Sequence, residues 1–345
     1  MIFYYDAEKN IYPTQLDAVA SGKPCFFYYY DKEFMQVDWK TEPTESLQEL
    51  YRIRAQQIRD ENEYVIVCYS GGSDSTNILE TFYYNNIHID EIVVVGALSQ
   101  DPEQGSDFNH NGDLYHNVFP TLTQMNFPNT KITVLDYTQW FNDPTNFTLI
   151  QKYGNEWSKY IGGFKSVHNL FWYDFRKFVG KGNNKQTCYI MGSDKTIIYP
   201  GKIFGSYYTK ISDLSVSDYG ANYSDENFKR INFYISPEKT TTDIMRKQGH
   251  RLINYVNLKY SGKYDTSKID QTFIYYNLKH PLQFKSKKST YTALSARDKF
   301  MLNATNSEMF NMFTEGLKTI EKVTSTKNRI YFHSRKYWLT DSIET

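Results

Sequence analysis

The sequence contains little cysteine, and none of its cysteines belongs to a C-x-x-C pair. There are three in 345 residues: Cys25, Cys68 and Cys188. This number and spacing exclude a disulfide framework and a cysteine-rich zinc site. Few cysteines without paired spacing are typical of proteins of a reducing compartment, so a cytoplasmic location is expected.

Long hydrophobic runs are also missing. The longest plain one, residues 92–98, is far shorter than the roughly 20 apolar residues that a membrane span needs. The first residues, Met1–Asp6, contain no basic segment followed by an apolar stretch, so no secretory signal is expected. The sequence therefore predicts a protein without a membrane-spanning segment.

The chain has no excess charge of either sign, because 39 Lys and Arg balance 39 Asp and Glu. A general nucleic-acid coat or a polybasic membrane binder needs net positive charge, and both are excluded, whereas a local basic groove is not. Aromatic residues, in contrast, are abundant, with 31 Tyr and 23 Phe. Together with many Asn, Lys and Ile, they indicate AT-biased coding, as in many phages and some bacteria, rather than a functional aromatic surface.

The length predicts about two domains, or one large domain with additions. Three regions are expected. Residues 1–45 are an N-terminal extension, residues 46–205 are the central domain, and residues 206–345 are a largely helical substrate or cap region.

Short β-branched runs alternate with helical patterns in the central domain. The predicted strands are 64–69, 91–96, 131–135 and 186–191, and the predicted helices are 46–59, 76–83, 114–125 and 166–179. Outside this domain, strands are expected at 26–30, 35–39 and 329–333 and helices at 240–256 and 295–323. The alternation predicts an α/β fold with a doubly wound, mostly parallel sheet and helices on both of its faces.

A Gly-rich turn between the first two central elements is the strongest functional signal. It reads Ser70-Gly71-Gly72-Ser73-Asp74-Ser75. The glycines allow the backbone to approach a phosphate, the following helix N-terminus adds partial positive charge, and the serines add hydroxyl donors. Asp74 would repel a phosphate unless a cation lay between them, and Mg²⁺ is suited to that position because it takes oxygen ligands from carboxylates and phosphates. The turn thus predicts a phosphate and Mg²⁺ site, although the G-x-x-x-x-G-K-[ST] pattern of ordinary nucleoside triphosphatases is absent.

A second polar turn follows the last central strand and reads Met191-Gly192-Ser193-Asp194-Lys195-Thr196. Because parallel strands end at the same edge of a sheet, Asp194 is expected beside Asp74, and the two carboxylates could ligate one Mg²⁺. Lys195 could contact a phosphate or stabilise a negatively charged intermediate. A turn with no metal role is the alternative.

The turn at 70–75 resembles the S-G-G-x-D-S loop of the N-type ATP pyrophosphatases, or PP-loop enzymes. Asparagine synthetase, GMP synthetase, NAD synthetase and tRNA-lysidine synthetase belong to this family. The resemblance implies a HUP-like (adenine nucleotide alpha hydrolase) fold, with ATP and Mg²⁺ bound. It also implies that a substrate oxygen attacks the α-phosphorus of ATP, pyrophosphate leaves, and a nucleophile then displaces AMP.

Within this family the two aspartate turns are most similar to the C-terminal domain of asparagine synthetase. Residues 190–195 resemble its G-x-G-(A/S)-D-E segment, with Asp194 as the metal ligand. They depart from it at Ile190, which stands in place of the first Gly, and at Lys195, which stands in place of Glu. The resemblance covers about residues 46–205.

Further binding residues are implied outside the two turns. The strand end at Val95, Gly96 and Ala97 resembles the place where the family holds adenine, and a buried strand that merely ends is the alternative. Lys202 follows the Asp194 turn closely enough to reach a phosphate. Lys336 belongs to a Ser-Arg-Lys segment that suits an anion, with a basic surface tail as the alternative.

Absent residues narrow the choice within the family. No cysteine lies near the C-terminus, where the phosphoadenylyl-sulfate reductases carry theirs. Paired cysteines for sulfur transfer and a four-cysteine zinc site are missing, and the roughly 70 residues before the loop are too few for a glutaminase domain. Ammonia, an amine or a separate subunit would therefore supply any nitrogen.

Three hypotheses remain open. The first is an ATP-dependent ligase that adenylates a small-molecule carboxylate or carbonyl. The second is an enzyme of tRNA-lysidine synthetase type that adenylates a nucleic-acid base, which Lys285, Lys287 and Lys288 favour and the neutral total charge disfavours. The third is a protein that binds nucleotide without turnover, as one similar to the phosphoadenylyl-sulfate reductases would, or a partner-binding module on this fold. The presence of both Asp74 and Asp194 disfavours it.

Overall fold

A computed structural model gives the fold over most of the chain. The described residues are 2–96, 113–136, 140, 143–159, 175–180, 185–192, 195–213, 227–265, 269, 271–280, 282, 311–312, 314–316, 318 and 332–341. The predicted helix at 295–323 and most of the predicted helix at 166–179 lie outside them.

The described elements are as follows, in chain order. The N-terminal region contains β1 (Ile2–Asp6), β2 (Ile11–Tyr12), α1 (Gln15–Ala20), β3 (Cys25–Tyr29) and α2 (Asp31–Phe34). Next come α3 (Leu47–Glu61), β4 (Tyr64–Cys68), α4 (Ser73–Tyr84), β5 (Glu91–Gly96), a π-helical turn (Leu114–Val118), α5 (Phe119–Met125), β6 (Lys131–Asp136), α6 (Thr148–Tyr153) and β7 (Thr187–Met191). The chain continues with β8 (Ile198–Pro200), β9 (Tyr207–Thr209), β10 (Phe228–Asn232), α7 (Lys239–Tyr260), α8 (Gln271–Tyr275) and β11 (Tyr337–Trp338).

Five strands form one parallel sheet in the order β10-β7-β4-β5-β6. The first of these strands in the chain, β4, is central, and successive strands are added outward on one side and then on the other. The order therefore reverses between β4 and β7. In open α/β sheets, ligands bind beyond the carboxyl ends of the strands at such a switch point.

Both faces of this sheet are covered. Val65 and Val67 belong to the core that includes residues of α3 and α4, while Ile66 and Cys68 belong to a second core that includes Phe147 and other residues of the opposite side. Apolar residues alternate between the two cores because successive side chains of a strand point to opposite faces. The predicted α/β doubly wound fold is confirmed.

The helix before the central strand forms as its spacing predicts. The hydroxyl of Ser46 caps α3 by accepting a hydrogen bond from the amide of Glu49 at 3.1 Å. Leu47, Leu50 and Ile58 are buried on one side of the helix. The predicted helix at 114–125 is divided into the π-helical turn and α5, and Pro120 stands at the start of α5, a position that suits proline because its missing amide would be unpaired there in any case.

One predicted strand is wrong, and one observed strand was not predicted. Residues 35–39 are not a strand: they follow α2 in a turn, and the indole of Trp39 donates to the carbonyl of Phe34 at 2.7 Å. The fifth strand of the parallel sheet, β10, was not predicted because its sequence, Phe-Lys-Arg-Ile-Asn, is largely polar, as an edge strand allows. It lies on the C-terminal side of the expected boundary at residue 205.

Two small antiparallel sheets accompany the parallel one. The N-terminal sheet has the order β2-β1-β3 and the C-terminal sheet the order β11-β9-β8. The amide of Phe27 donates to the carbonyl of His333 at 2.9 Å, and the buried carboxylate of Asp213 accepts from Tyr4 and Gln15. These bonds join the first 30 residues to the C-terminal region. None of the helices in the described ranges has the length and apolar character of a membrane span.

Candidate functional site

The Gly-rich turn connects the end of β4 to the first turn of α4, at the switch point of the sheet. Gly72 is the N-cap of α4 and provides no capping side chain within the described residues. The amides of the first helical turn therefore remain available to an anion, which the helix dipole also favours. The hydroxyl of Ser75 donates to the carbonyl of Gly72 at 3.1 Å and lies 3.1 Å from the hydroxyl of Ser70. Ser75 thus stabilises the turn from within.

Gly71 occupies a position that only glycine fits without strain. Its φ is +76°, and a Cβ atom there would lie 2.8 Å from Cγ2 of Val118 and 3.1 Å from the carbonyl oxygen of Asp113. The missing side chain lets the π-helical turn pack directly against the loop.

Asp74 meets Lys195 across the switch point. The ammonium of Lys195 lies 2.8 Å from Oδ1 of Asp74, and the hydroxyl of Tyr276 donates to the same oxygen at 2.5 Å. The Lys195 and Asp74 side chains are 15% and 22% exposed, so the pair lies at a partly open edge. A carboxylate and an ammonium therefore stand together where two parallel strands end.

Buried partners hold the residue next to Lys195 in place. Oε1 of Gln248 accepts from the amide of Thr196 at 3.1 Å, and the hydroxyl of Tyr275 donates to the Thr196 carbonyl at 2.5 Å. Nε2 of Gln248 donates to the hydroxyl of Tyr51, which donates in turn to the Tyr275 carbonyl. Because both backbone groups of Thr196 are fixed, the direction from which Lys195 approaches Asp74 is fixed as well.

The first turn of α4 is packed tightly from two other sides. A Cβ atom on Gly192 would lie 3.1 Å from the carbonyl carbon of Asp74 and from the amide of Ser75, so the second loop touches the first. The hydroxyl of Tyr234, two residues beyond β10, donates to the Asp74 carbonyl at 2.9 Å and accepts from Asn77 at 3.0 Å. Three strand ends thus contribute to this site.

Glu80, one helical turn or more beyond Asp74, connects α4 to the C-terminal region. Its buried carboxylate accepts from the amides of Lys279 and His280 at 2.8 and 2.7 Å. The segment that carries Tyr276 is therefore tied to the same helix that begins with the Gly-rich turn.

Burial keeps the tyrosines of this site protonated. It raises the pKa of Tyr276 well above its ordinary value, and the neighbouring Tyr234 and the charge of Asp74 raise it further. The pKa of Tyr234 is raised in the same way, again chiefly by burial. Both hydroxyls therefore act as hydrogen-bond donors toward Asp74 at any physiological pH.

The donor set around Asp74 suits a hard cation that is shared with phosphates. Within the described part of the chain, Oδ1 accepts both hydrogen bonds and Oδ2 accepts none. No group of three or more His, Cys, Asp or Glu side chains comes together in that part of the chain. One carboxylate oxygen beside the Gly-rich turn fits Mg²⁺, which keeps several waters and takes only one or two protein carboxylates.

The structure brings together some of the predicted site residues. The turn at 70–75, Gly192 and Lys195 lie side by side, and Val95 and Gly96 end the neighbouring strand β5. Ala97 and the predicted metal ligand Asp194 lie outside the described residues, as does Ser193.

Two predicted lysines lie elsewhere. Lys202 is exposed in the turn between β8 and β9, and no contact within the described ranges joins it to the Gly-rich turn. Lys336 lies on the C-terminal sheet, with its ammonium 4.9 Å from the ring centre of Tyr208 and 5.5 Å from that of Trp338. Their predicted roles toward ATP remain predictions.

Sequence reasoning missed Tyr234, Tyr276 and Gln248. The signal for Tyr234 was its place just after a strand of the parallel sheet, but that strand had not been recognised. Tyr276 and Gln248 follow no local pattern, because they reach the site from 202 and 52 positions away.

A scan against protein-family models finds no match, and no curated protein matches the sequence. Among solved structures, the chain is similar to the NH3-dependent NAD synthetase from Campylobacter jejuni subsp. jejuni NCTC 11168 in complex with the nitrate ion. The similarity covers 81% of this chain and 97% of that one, with 14% identity and a TM-score of 0.34. A likeness at this level carries no argument about activity.

Proposed function

We propose that this protein cleaves ATP between the α- and β-phosphates and transfers AMP to an acceptor oxygen. The observation that carries the proposal is the contact between Asp74 and Lys195, 2.8 Å apart, from loops on either side of the switch point. It places a carboxylate, a cation and the free amides of a helix N-terminus at one strand edge, beside a turn whose six residues resemble the pyrophosphate-binding loop of the N-type ATP pyrophosphatases.

In the proposed reaction the acceptor oxygen attacks the α-phosphorus and the bond to the bridging oxygen of pyrophosphate breaks. The amides of residues 73–75 and the hydroxyls of Ser70 and Ser73 donate to the departing pyrophosphate. Lys195 exchanges its bond with Asp74 for one with the α-phosphate, where charge accumulates. Asp74 and, in this proposal, Asp194 would hold Mg²⁺, which would supply a Lewis acid for the phosphate oxygens.

For the acceptor we infer a carboxylate or carbonyl oxygen, from which ammonia or an amine then displaces AMP, as in asparagine synthetase-like enzymes. A small molecule and a nucleic-acid base both offer such an oxygen. The acceptor classes share the first step, so one assay tests that step for either of them.

The test is the product formed from ATP labelled in the α-phosphate, incubated with Mg²⁺ and a pooled extract of metabolites and tRNA. We expect labelled AMP or an AMP adduct from the wild type, and a loss of at least about 100-fold in Asp74→Asn, because the cation would lose its carboxylate. Labelled ADP as the main product would contradict the proposal.

Glu49→Gln is the matched control. Glu49 also lies in the first turn of a helix and also pairs with a cation, Arg52, but at an exposed site on α3. We expect its AMP formation to equal that of the wild type. An equal loss in both variants would mean that the assay reports general damage to the fold.

A further inference from the structure

One face of the C-terminal sheet presents a row of aromatic rings. Tyr199 is paired with Tyr208 across β8 and β9, and Tyr208 is paired with Trp338 across β9 and β11. The Tyr199 and Tyr208 rings are stacked with centres 5.6 Å apart, and the Trp338 ring stands edge-on to Tyr208 at 5.1 Å. All three side chains are half-buried, while Tyr207, Thr209 and Tyr337, on the opposite face, are fully buried.

Cations lie on this row. The ammonium of Lys210 is 5.5 Å from the ring centres of both Tyr199 and Tyr208, and that of Lys336 is 4.9 Å from the Tyr208 centre. His333 stands edge-on to Tyr199 with ring centres 6.1 Å apart. We call this surface the aromatic–lysine face. It consists of six residues: Tyr199, Tyr208, Lys210, His333, Lys336 and Trp338.

The positive charge of Lys210 on this face is not neutralised by an acidic side chain of the described residues. No carboxylate in the described part of the chain pairs with this half-buried lysine. Burial, and then the charge of Lys336, lower the pKa of Lys210, and burial together with Lys210 lowers that of His333. Lys210, which lies close to Lys336 and pairs with no carboxylate of the described residues, carries positive charge that is complementary to an anion.

We propose that the aromatic–lysine face binds a single strand of nucleic acid. The ammonium groups of Lys210 and Lys336 move from the rings to the phosphates of the strand, and its bases stack on the rings of Tyr208 and Trp338. Every base has a face that can stack on an aromatic ring, and every nucleotide of a strand brings one phosphate. Neighbouring strands lie about 4.8 Å apart, so the three rings span about 10 Å, room for about two nucleotides.

The position of the face relative to the ATP site makes this strand the acceptor. Tyr199 follows Lys195 by four residues, and consecutive Cα atoms are at most 3.8 Å apart, so their Cα atoms lie within about 15 Å of each other. A strand bound on the face therefore passes near the edge that holds Asp74. This inference deepens the proposed function by naming the acceptor class, and it rests on that function only for the chemistry after binding.

The test measures binding of a fluorescent single-stranded RNA and of a DNA of the same sequence, about 12 nucleotides each, by anisotropy, without ATP or Mg²⁺. We expect the dissociation constant to rise roughly tenfold in Trp338→Leu, because one stacked base is lost. We expect Lys210→Gln to lower the salt dependence by about 0.7 in the slope of log K against log salt, because one phosphate contact is lost.

Lys259→Gln is the matched control. Its ammonium also lies over a tyrosine, 5.3 Å from the ring centre of Tyr255, but on α7, and neither residue belongs to the aromatic–lysine face. We expect binding by this variant to equal that of the wild type. Absence of oligonucleotide binding by the wild type, or equal binding by all variants, would overturn the inference.

Two further measurements distinguish binding of a strand from binding of free nucleotides, and this inference from the proposed function. If AMP or ATP displaces the oligonucleotide at equal nucleotide concentration, the face binds free nucleotides and the strand is not its ligand. Asp74→Asn is expected to bind the oligonucleotide normally while it forms no AMP. Oligonucleotide binding without any AMP formation in the wild type would refute the proposed function alone, and AMP formation without binding would refute this inference alone.

Discussion

The carboxyl edge of the parallel sheet and the aromatic–lysine face of the C-terminal sheet handle charge in opposite ways. At the parallel edge, the carboxylate of Asp74 is matched by Lys195 and enclosed by buried tyrosines. On the other face, lysines lie on aromatic rings, and Lys210 has no carboxylate partner within the described residues. The first region holds its charges in a fixed arrangement, which the proposed AMP transfer requires, whereas the second has positive charge that the proposed nucleic-acid binding would use.

Replacing Lys195 should give the largest difference between the two regions, because it should affect AMP formation and leave oligonucleotide binding unchanged. We expect Lys195→Met to reduce AMP formation by about 100- to 1000-fold, because a cation directed at the developing charge is removed. The free energy of unfolding should change by less than about 1 kcal/mol, since the ion pair is partly exposed to water. Oligonucleotide binding should not change.

Lys247→Met is the control for this prediction. The Lys247 side chain is 16% exposed and pairs with Glu42, so it matches Lys195 in burial and pairing but lies on α7. An equal loss of AMP formation in this variant, or a loss of oligonucleotide binding in Lys195→Met, would contradict the assignment of separate roles.

The two regions can also be compared through the free energy of unfolding, by replacing one glycine in each of them with alanine. Gly71 has a φ of +76° and lies against Val118, while Gly205 has a φ of +80° at the tip of the β8–β9 hairpin with no atom near its missing Cβ. We expect Gly205→Ala to lower the free energy of unfolding by about 1–2 kcal/mol, the cost of a left-handed backbone. Gly71→Ala should cost about 1–3 kcal/mol more, because the new methyl group would clash. Equal losses in chemical denaturation would show that the loop has room to move away.

The smallest expected effect concerns His333 and pH. Burial, followed by Lys210, lowers the pKa of His333 below its ordinary value of 6.5. Between the folded and unfolded pKa values the unfolded chain binds more protons, so the stability present above pH 6.5 is lost as the pH falls below it. We therefore expect the free energy of unfolding to fall less in His333→Gln than in the wild type between about pH 7.5 and about pH 5.5, as measured by chemical denaturation at both pH values. An identical loss would place the pH dependence in other groups.

The sequence predicted the parallel edge well because its signals are contiguous. The turn at 70–75 is a six-residue motif between a strand and a helix, and Lys195 follows another strand of the same sheet, so the rule that parallel strands end at one edge brings them together. Hydrophobic spacing likewise predicted α3, β4, β5, β7 and α7. The polar edge strand β10 escaped this reasoning, and Tyr234 was lost with it.

The aromatic–lysine face was not predicted because its residues meet only through pairing. Tyr199 and Tyr208 are neighbours through the register of a hairpin, and Trp338 joins them from 130 positions further along the chain. Among 31 tyrosines and 23 phenylalanines, three ring positions have no distinguishing pattern, and the abundance itself favoured coding bias as its explanation. The same abundance concealed Tyr276 at the site of Asp74.

The hydrogen bond from Tyr276 to Asp74 has a consequence for synthesis on the ribosome. The two residues are 202 positions apart, so at about 5–20 residues per second Asp74 is made roughly 10–40 s before its partner. During that interval the nascent chain carries the Gly-rich turn without the hydroxyl that holds its carboxylate. A nascent chain released early would therefore lack the finished site around Asp74, so that the proposed ATP turnover is confined to molecules whose translation has passed residue 276.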